Sequence, residues 1–223
     1  MWNYSKNRQS GFTLVELAIV LVIIGLLLGG VLKGQEMIEN GKIKNLQNDV
    51  KGVTAAYYAY RDRYNALPGD DTRAKERWTT AAPAAVDGNG DGIVGTSDAW
   101  NVCASSASTT ENCGFIQHLR LSGLITGAAN PADPLNAYGG VIRVVQNTTT
   151  TARWAAVVGL NLCFGNLPAK AAEAIDASFD DGDPGTGNVR AALGTGNTSP
   201  LIAAPAAATG YVDPNTYTVC KLL

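Results

Sequence analysis

From Phe12 to Leu32 the chain runs for 21 residues with one charge, Glu16. A helix of that length, rising ~1.5 Å per residue, covers roughly 31 Å, about one bilayer hydrocarbon core. The segment therefore reads as membrane-spanning. A carboxylate near its start is costly in lipid, by ~2.5–3.5 kcal/mol on insertion scales, so an ionisable group there is a functional candidate by default. One reading is a plain anchor carrying an isolated Glu. The other gives Glu16 a partner.

Beyond this run the chain is polar. It has 223 residues, 46% of them hydrophobic, with 25 Gly and a formal net charge of −2. That suits one globular part plus an appendage, rich in loops and modest in strands. The balance is not basic, and Lys6 and Arg8 are too few to make a patch, so nucleic acid is not indicated as a partner. Cys103, Cys113, Cys163 and Cys220 all follow the apolar run, and their even number fits an oxidising compartment. No CxxC pair is present, which argues against structural zinc or thioredoxin-like chemistry. Four cysteines allow three connectivities. The favoured one joins Cys103 to Cys113 across a Ser/Thr-rich loop and Cys163 to Cys220, stapling the carboxyl terminus to a sheet; free thiols are the alternative.

A secretory signal places its cleavage site after the apolar stretch, behind small residues. Here the boundary that reads as processed, Gly11, stands in front. Flanking charge does not fix orientation, because Lys6 and Arg8 on one side face Lys33, Lys42 and Lys44 on the other. Ser10-Gly11-Phe12-Thr13-Leu14-Val15-Glu16-Leu17 resembles the class III leader junction of type IV prepilins and type II secretion pseudopilins. The resemblance implies cleavage after Gly11 by a membrane prepilin peptidase and N-methylation of Phe12. It assigns Glu16 to neutralise the terminal amine of a neighbouring subunit, in a homo-oligomeric helical filament built at an inner-membrane assembly platform. It also implies an inner-membrane precursor with a cytoplasmic leader, and a mature protein in an extracellular filament or a periplasmic pseudopilus. Pairing an ammonium with a carboxylate makes both tolerable in lipid and sets axial register. Gly25/Gly29 and Gly30/Gly34 are small-xxx-small spacings that let helix backbones approach closely. Many type IVa pilins carry Pro near the position of Lys33, so any local unwinding here falls to the clustered glycines.

Ile43, Leu46, Val50, Val53, Tyr57, Tyr60, Tyr64 and Leu67 recur at alternating intervals of three and four, one apolar stripe on a continuing helix. With some 150 residues still to come, the stripe is expected to dock on the protein's own sheet rather than in a coiled coil. Leu67-Pro68-Gly69-Asp70-Asp71 ends the helix, since Pro68 disfavours helical backbone before it and Gly69 suits a left-handed turn. A short helix is predicted over Thr72–Trp78.

Counted from Asp87, the loop 87–98 places oxygen side chains at positions 1, 3, 5 and 12, Gly92 at 6 and Val94 at 8. That is the spacing of an EF-hand-type calcium loop, and it resembles dockerin-like loops that close with Asp. Asp87, Asn89, Asp91 and Asp98 would supply side-chain oxygens and Ile93 its carbonyl. No amphipathic helix precedes Asp87, so the loop alone matches, and a solvated turn without an ion is the alternative. The short reach of Asp98 points to an affinity of ~10⁻⁴–10⁻³ M or somewhat tighter.

Phe115–Leu121 reads as a short helix stopped at Gly123, and His118, the single His, as structural. Val141–Val145 and Arg153–Val158 read as a hairpin, Tyr217–Cys220 as another strand, and Pro168–Ala177 as a second short helix. Residues 180–188 match no cation-loop template and read as an exposed turn, and 194–215 as surface loop. The predicted fold is α+β, a type IV pilin fold with one long helix packed on an antiparallel sheet. Residues 1–11 are the leader and 12–65 the helix, with 12–32 for membrane and filament core and 33–65 packing on the globular part. Residues 66–223 form the extracytoplasmic region. No catalytic constellation or phosphate loop is present. A structural pilin subunit is the leading function and a type II secretion pseudopilin the alternative. A binding module merely tethered by the helix is the rival from another class.

Overall fold

The computed structural model describes residues 13–95, 100, 103, 110–147, 157–194, 196–197 and 210–223. The chain forms two units, Met1–Gly41 and Lys42–Leu223. The first helix, α1 (Leu14–Tyr64), supplies the described part of the first unit and opens the second. After it come α2 (Ala74–Arg77), α3 (Glu111–Leu121), β1 (Ile142–Asn147), β2 (Gly159–Pro168), α4 (Ala169–Phe179), β3 (Val189–Leu193) and β4 (Thr216–Leu222). This is the expected α+β arrangement of a long amino-terminal apolar helix followed by a four-stranded antiparallel sheet.

In the second unit the apolar stripe of α1 is the core face. Ile43, Leu46, Val50, Val53, Tyr57 and Tyr60 are all buried, in one cluster with residues of the sheet, α3 and α4. The alternating three- and four-residue spacing keeps these side chains on one side, which is why the helix buries a stripe and leaves Lys44, Lys51 and Arg61 in water. Tyr57 stacks on Phe115 of α3 at 6.1 Å, and Gln47 donates to Ser178 Oγ of α4 at 2.6 Å.

Strand order is β1-β2-β4-β3, every neighbouring pair antiparallel. Alternation sorts the side chains. Ile142, Val144, Leu162, Phe164 and Val219 join the main core, whereas Val145, Cys163, Ala192 and Cys220 form a smaller cluster with Trp100 against it. Cys163 and Cys220 face each other across β2 and β4 and are disulfide-bonded; Cys103 is bonded to Cys113 of α3. Both favoured pairings are therefore present. Between Ile142 and Val144, Arg143 is 6% exposed, and its guanidinium donates through Nε and Nη2 to Asp133 Oδ2 at 2.8 and 2.6 Å.

The hairpin differs from its sequence prediction. The strand paired with β1 is Gly159–Pro168, not 153–158; Val157 and Val158 precede it, and 153–156 lie outside the described residues. Its Asn161, Gly165, Asn166 and terminal Pro168 are poor strand formers, so local propensity points away from it. Pairing on both sides overrides that propensity. Asn161 is fully buried, its amide donating to the carbonyls of Val157 and Gly159. A register shift between Phe164 and Leu167, with Asn166 at φ 55°, absorbs the irregularity. Strand β3, with Arg and two Ala, carried no periodic signal and exists because β4 pairs with it.

Candidate functional site

At the start of α1, Thr13 and Glu16 hold one another. Thr13 N and Oγ1 both donate to Glu16 Oε2 at 2.8 Å, and Glu16 N donates to Thr13 Oγ1 at 3.3 Å. This is a capping box, in which a Thr and a Glu three residues on satisfy backbone donors that the first helical turn leaves unpaired. The T-x-x-E spacing was legible in the sequence, although the reading there looked only for a partner on another chain. Gly11 and Phe12 lie outside the described residues.

From Leu14 to Leu32 every large apolar side chain of the first unit is exposed, as are Met37 and Ile38. By length and composition α1 can cross a membrane. A Cβ added at Gly25, Gly29, Gly30 or Gly34 would meet no described atom within 4 Å, so packing within the single chain does not require these glycines.

The loop predicted to hold calcium is arranged around protein anions. Asp70, buried, accepts from Gly90 N at 2.6 Å and Gly92 N at 2.8 Å; Glu111 at the head of α3 accepts from Asn89 N at 2.9 Å and Gly95 N at 2.8 Å. Gly88 passes so close that a Cβ there would sit 2.2 Å from Asp70 Cα. Of the expected ligands, Asp87 accepts from Lys75 N at 2.8 Å and lies 3.4 Å from the Lys75 ammonium. Asn89 turns its amide NH₂ toward Asp91 at 2.9 Å, and Asp91 accepts from Ile93 N at 2.8 Å. The donor types fit a hard cation, but as placed Asn89 presents a donor where an ion needs an acceptor. Asp98 lies outside the described residues.

The acidic group that does converge is Asp176, Asp180 and Asp181, with carboxylate oxygens within 4.8 Å of one another. In sequence Asp176 falls in the helix predicted over Pro168–Ala177, and Asp180 and Asp181 in the exposed turn after it. Asp176 is fully buried and accepts from Tyr211 Oη at 2.6 Å and Gly182 N at 3.2 Å; burial pushes its carboxyl above the ordinary range. Asp180 accepts from Asn188 N and Val189 N, and Asp181 from Asp183 N and Thr186 Oγ1. Each carboxylate thus closes a turn, and the triad is a possible metal site by proximity alone.

His118 is structural. Its Nδ1 accepts from Gly69 N at 2.9 Å, so the proton sits on Nε2, which donates to Val86 O at 2.6 Å. Gly69 takes the predicted left-handed turn, φ 92°. Beside it, Asp71 accepts from Tyr60 Oη at 2.7 Å and from both Arg77 Nη atoms. Burial works to raise Asp71, but hydrogen bonds from Arg77, Tyr60 and Arg73 N hold it below the usual carboxylate range. Burial lowers His118 from its ordinary value of 6.5. An imidazole lowered by folding is a site where the unfolded chain binds more protons, so its stabilisation is present above pH ~6.5 and lost as pH falls below it. Asp71 adds a loss at lower pH, in the carboxylate range, while Asp176, raised by folding, works in the opposite sense there. The melting temperature is expected to drop between pH 7.5 and 5.5. His118→Gln, whose amide can make both hydrogen bonds, should flatten that slope, and an unchanged slope would remove His118 as its cause.

Residues 6–32 match a family model described as the prokaryotic N-terminal methylation motif. No curated protein and no solved structure matches the chain.

Proposed function

We propose that this protein is a type IV pilin-like structural subunit, not an enzyme, that assembles through its amino-terminal helix into an extracytoplasmic filament. The observation that carries this reading is the methylation motif over 6–32 set directly on an exposed apolar helix long enough to span a bilayer. A prepilin peptidase cleaves after Gly11, Phe12 becomes the methylated terminus, and the precursor waits in the inner membrane until an assembly platform adds it to the filament. In the waiting subunit the Glu16 carboxylate is satisfied by Thr13. In the filament it turns to the Phe12 amine of a neighbour, which offsets the burial of both charges and fixes register. Glycines that no described residue fills are free to admit a neighbouring helix. The two disulfides suit an oxidising compartment.

Mass spectrometry of the amino terminus tests this directly. A mature chain starting at methylated Phe12, recovered in a sheared or co-purified filament, supports it. A retained Met1 on a monomer favours the tethered binding module. A pseudopilus of a type II secretion system is the second reading, since the same helix serves both filaments. Dependence of protein secretion on this chain, without surface fibres, would select it.

Calcium at 87–98, held by Asp87, Asn89, Asp91, the Ile93 carbonyl and Asp98, rests on spacing and on donor type. It requires the Lys75–Asp87 contact to yield and the Asn89 amide to turn over. Chelation should then lower the melting temperature, and Asp87→Ala with Asp91→Ala should abolish the response to added calcium. If the double variant responds to calcium as the wild type does, this loop is not the site.

A further inference from the structure

The carboxyl end of α1 and the short helix α2 flank a shallow, open concavity of about 320 Å³ lined by Arg63, Tyr64, Arg73, Glu76 and Arg77. Three of its five lining residues are arginines. Arg77 is fixed from behind by its two bonds to buried Asp71 and lies 4.6 Å from the centre of the Tyr64 ring and 5.3 Å from that of Trp78. Tyr64 is itself held by Tyr60 at 4.6 Å and Trp78 at 5.7 Å. This wall is preorganised, because its side chains are locked before any ligand arrives. Arg63 and Arg73 differ. Both are exposed, and neither makes an ion pair with a described carboxylate; Arg63 rests 5.3 Å from the Tyr64 ring centre. Against these three cations the lining offers one acid, Glu76, with Asp71 behind it.

Arginines in the last turn of a helix also complement its dipole, which accounts for Arg63 and does not account for Arg73. Two arginines with no described carboxylate partner, Arg63 and Arg73, beside a third whose Nη atoms Asp71 already engages suit a tetrahedral oxyanion with several oxygens better than a single carboxylate, which one fork satisfies. The Tyr64 ring, flanked by two guanidiniums, gives a flat surface beside it. We infer that this hollow binds a phosphoryl group, with Arg77 and Tyr64 as the fixed floor and Arg63 and Arg73 as arms that close on the ligand. The inference stands independently of filament assembly.

The test is titration of the full chain in detergent with inorganic pyrophosphate, followed by calorimetry at low and at physiological ionic strength. Saturable binding is expected, weakening with salt as exposed guanidinium contacts do. It should fall at least tenfold in the Arg63→Ala/Arg73→Ala variant and stay unchanged in Lys170→Ala, a remote exposed cation on α4. Because Arg63 and Arg73 are exposed, the double variant should keep the wild-type fold with a cooperative transition and only a small drop in melting temperature, from the dipole and ring contacts of Arg63. Lys170→Ala should keep the wild-type value, which separates a lost site from a lost fold. Absence of binding in the wild type, retention in the double Arg variant, or an equal loss in Lys170→Ala would each overturn the proposal. So would acetate competing as well as pyrophosphate, which would make the hollow a carboxylate site.

Discussion

Glu16→Ala is expected to be inserted and cleaved normally yet to be absent from filaments that contain the wild-type subunit. Replacing the carboxylate by a methyl removes the one charge in the apolar run, so insertion becomes easier rather than harder, by roughly 2.5–3.5 kcal/mol on the insertion scale. The loss appears only when the Phe12 amine of one subunit must be buried beside another, with no carboxylate to pair it; an uncompensated buried charge of this kind costs ~3–5 kcal/mol at each contact. Losing the Thr13 capping box costs only ~0.5–2 kcal/mol at the helix start. Thr13→Val separates the two effects. It removes the hydroxyl half of the box and keeps the carboxylate, so it should assemble far better than Glu16→Ala. Equal failure of both variants would assign Glu16 to capping alone. The readout is immunoblotting of sheared or co-purified filaments against total membrane protein.

The second large effect is on stability. Cys163→Ala/Cys220→Ala should destabilise the Lys42–Leu223 unit by about 4 kcal/mol, from the entropy returned to an unfolded chain no longer closed over 57 residues. Removing Cys103 and Cys113 opens a loop of 10 residues and should cost less, about 3 kcal/mol. The ordering has a second cause. The 163–220 bond joins the two central strands at directly opposed positions, inside a small buried cluster, whereas 103–113 secures a loop to α3. Urea unfolding of the full chain in detergent measures both, and the reverse order would show that the sheet does not depend on its central staple.

How far a sequence reads depends on how local the physics is. The membrane-length helix, the methylation motif at its start and the apolar stripe from Ile43 to Leu67 were legible because hydrophobic period, motif spacing and run length are properties of neighbouring residues. The turn at Pro68-Gly69 was legible for the same reason, and Gly69 adopts the left-handed conformation it was read for. Strand β2 was misplaced because its buried Asn161 and its bulge obey partners on both sides instead of an alternating pattern. The loop at 87–95 shows the same limit from the other direction. Its spacing matches a cation loop, but the anions that hold its backbone, Asp70 and Glu111, arrive from 20 residues before Gly90 and 22 after Asn89.

The sequence by itself determined that the chain carries a membrane-length helix with one costly carboxylate, a helical continuation with an apolar stripe, and four cysteines that follow the apolar run. Tertiary structure alone decided the rest. It placed Arg143 against Asp133. It turned Asp70 into the centre of a loop, brought Asp176 beside Asp180 and Asp181, and set Arg77 over the Tyr64 ring. Polar side chains act through geometry and desolvation, which depend on what the fold brings within ~3–5 Å, and almost none of that is written in the order of the residues.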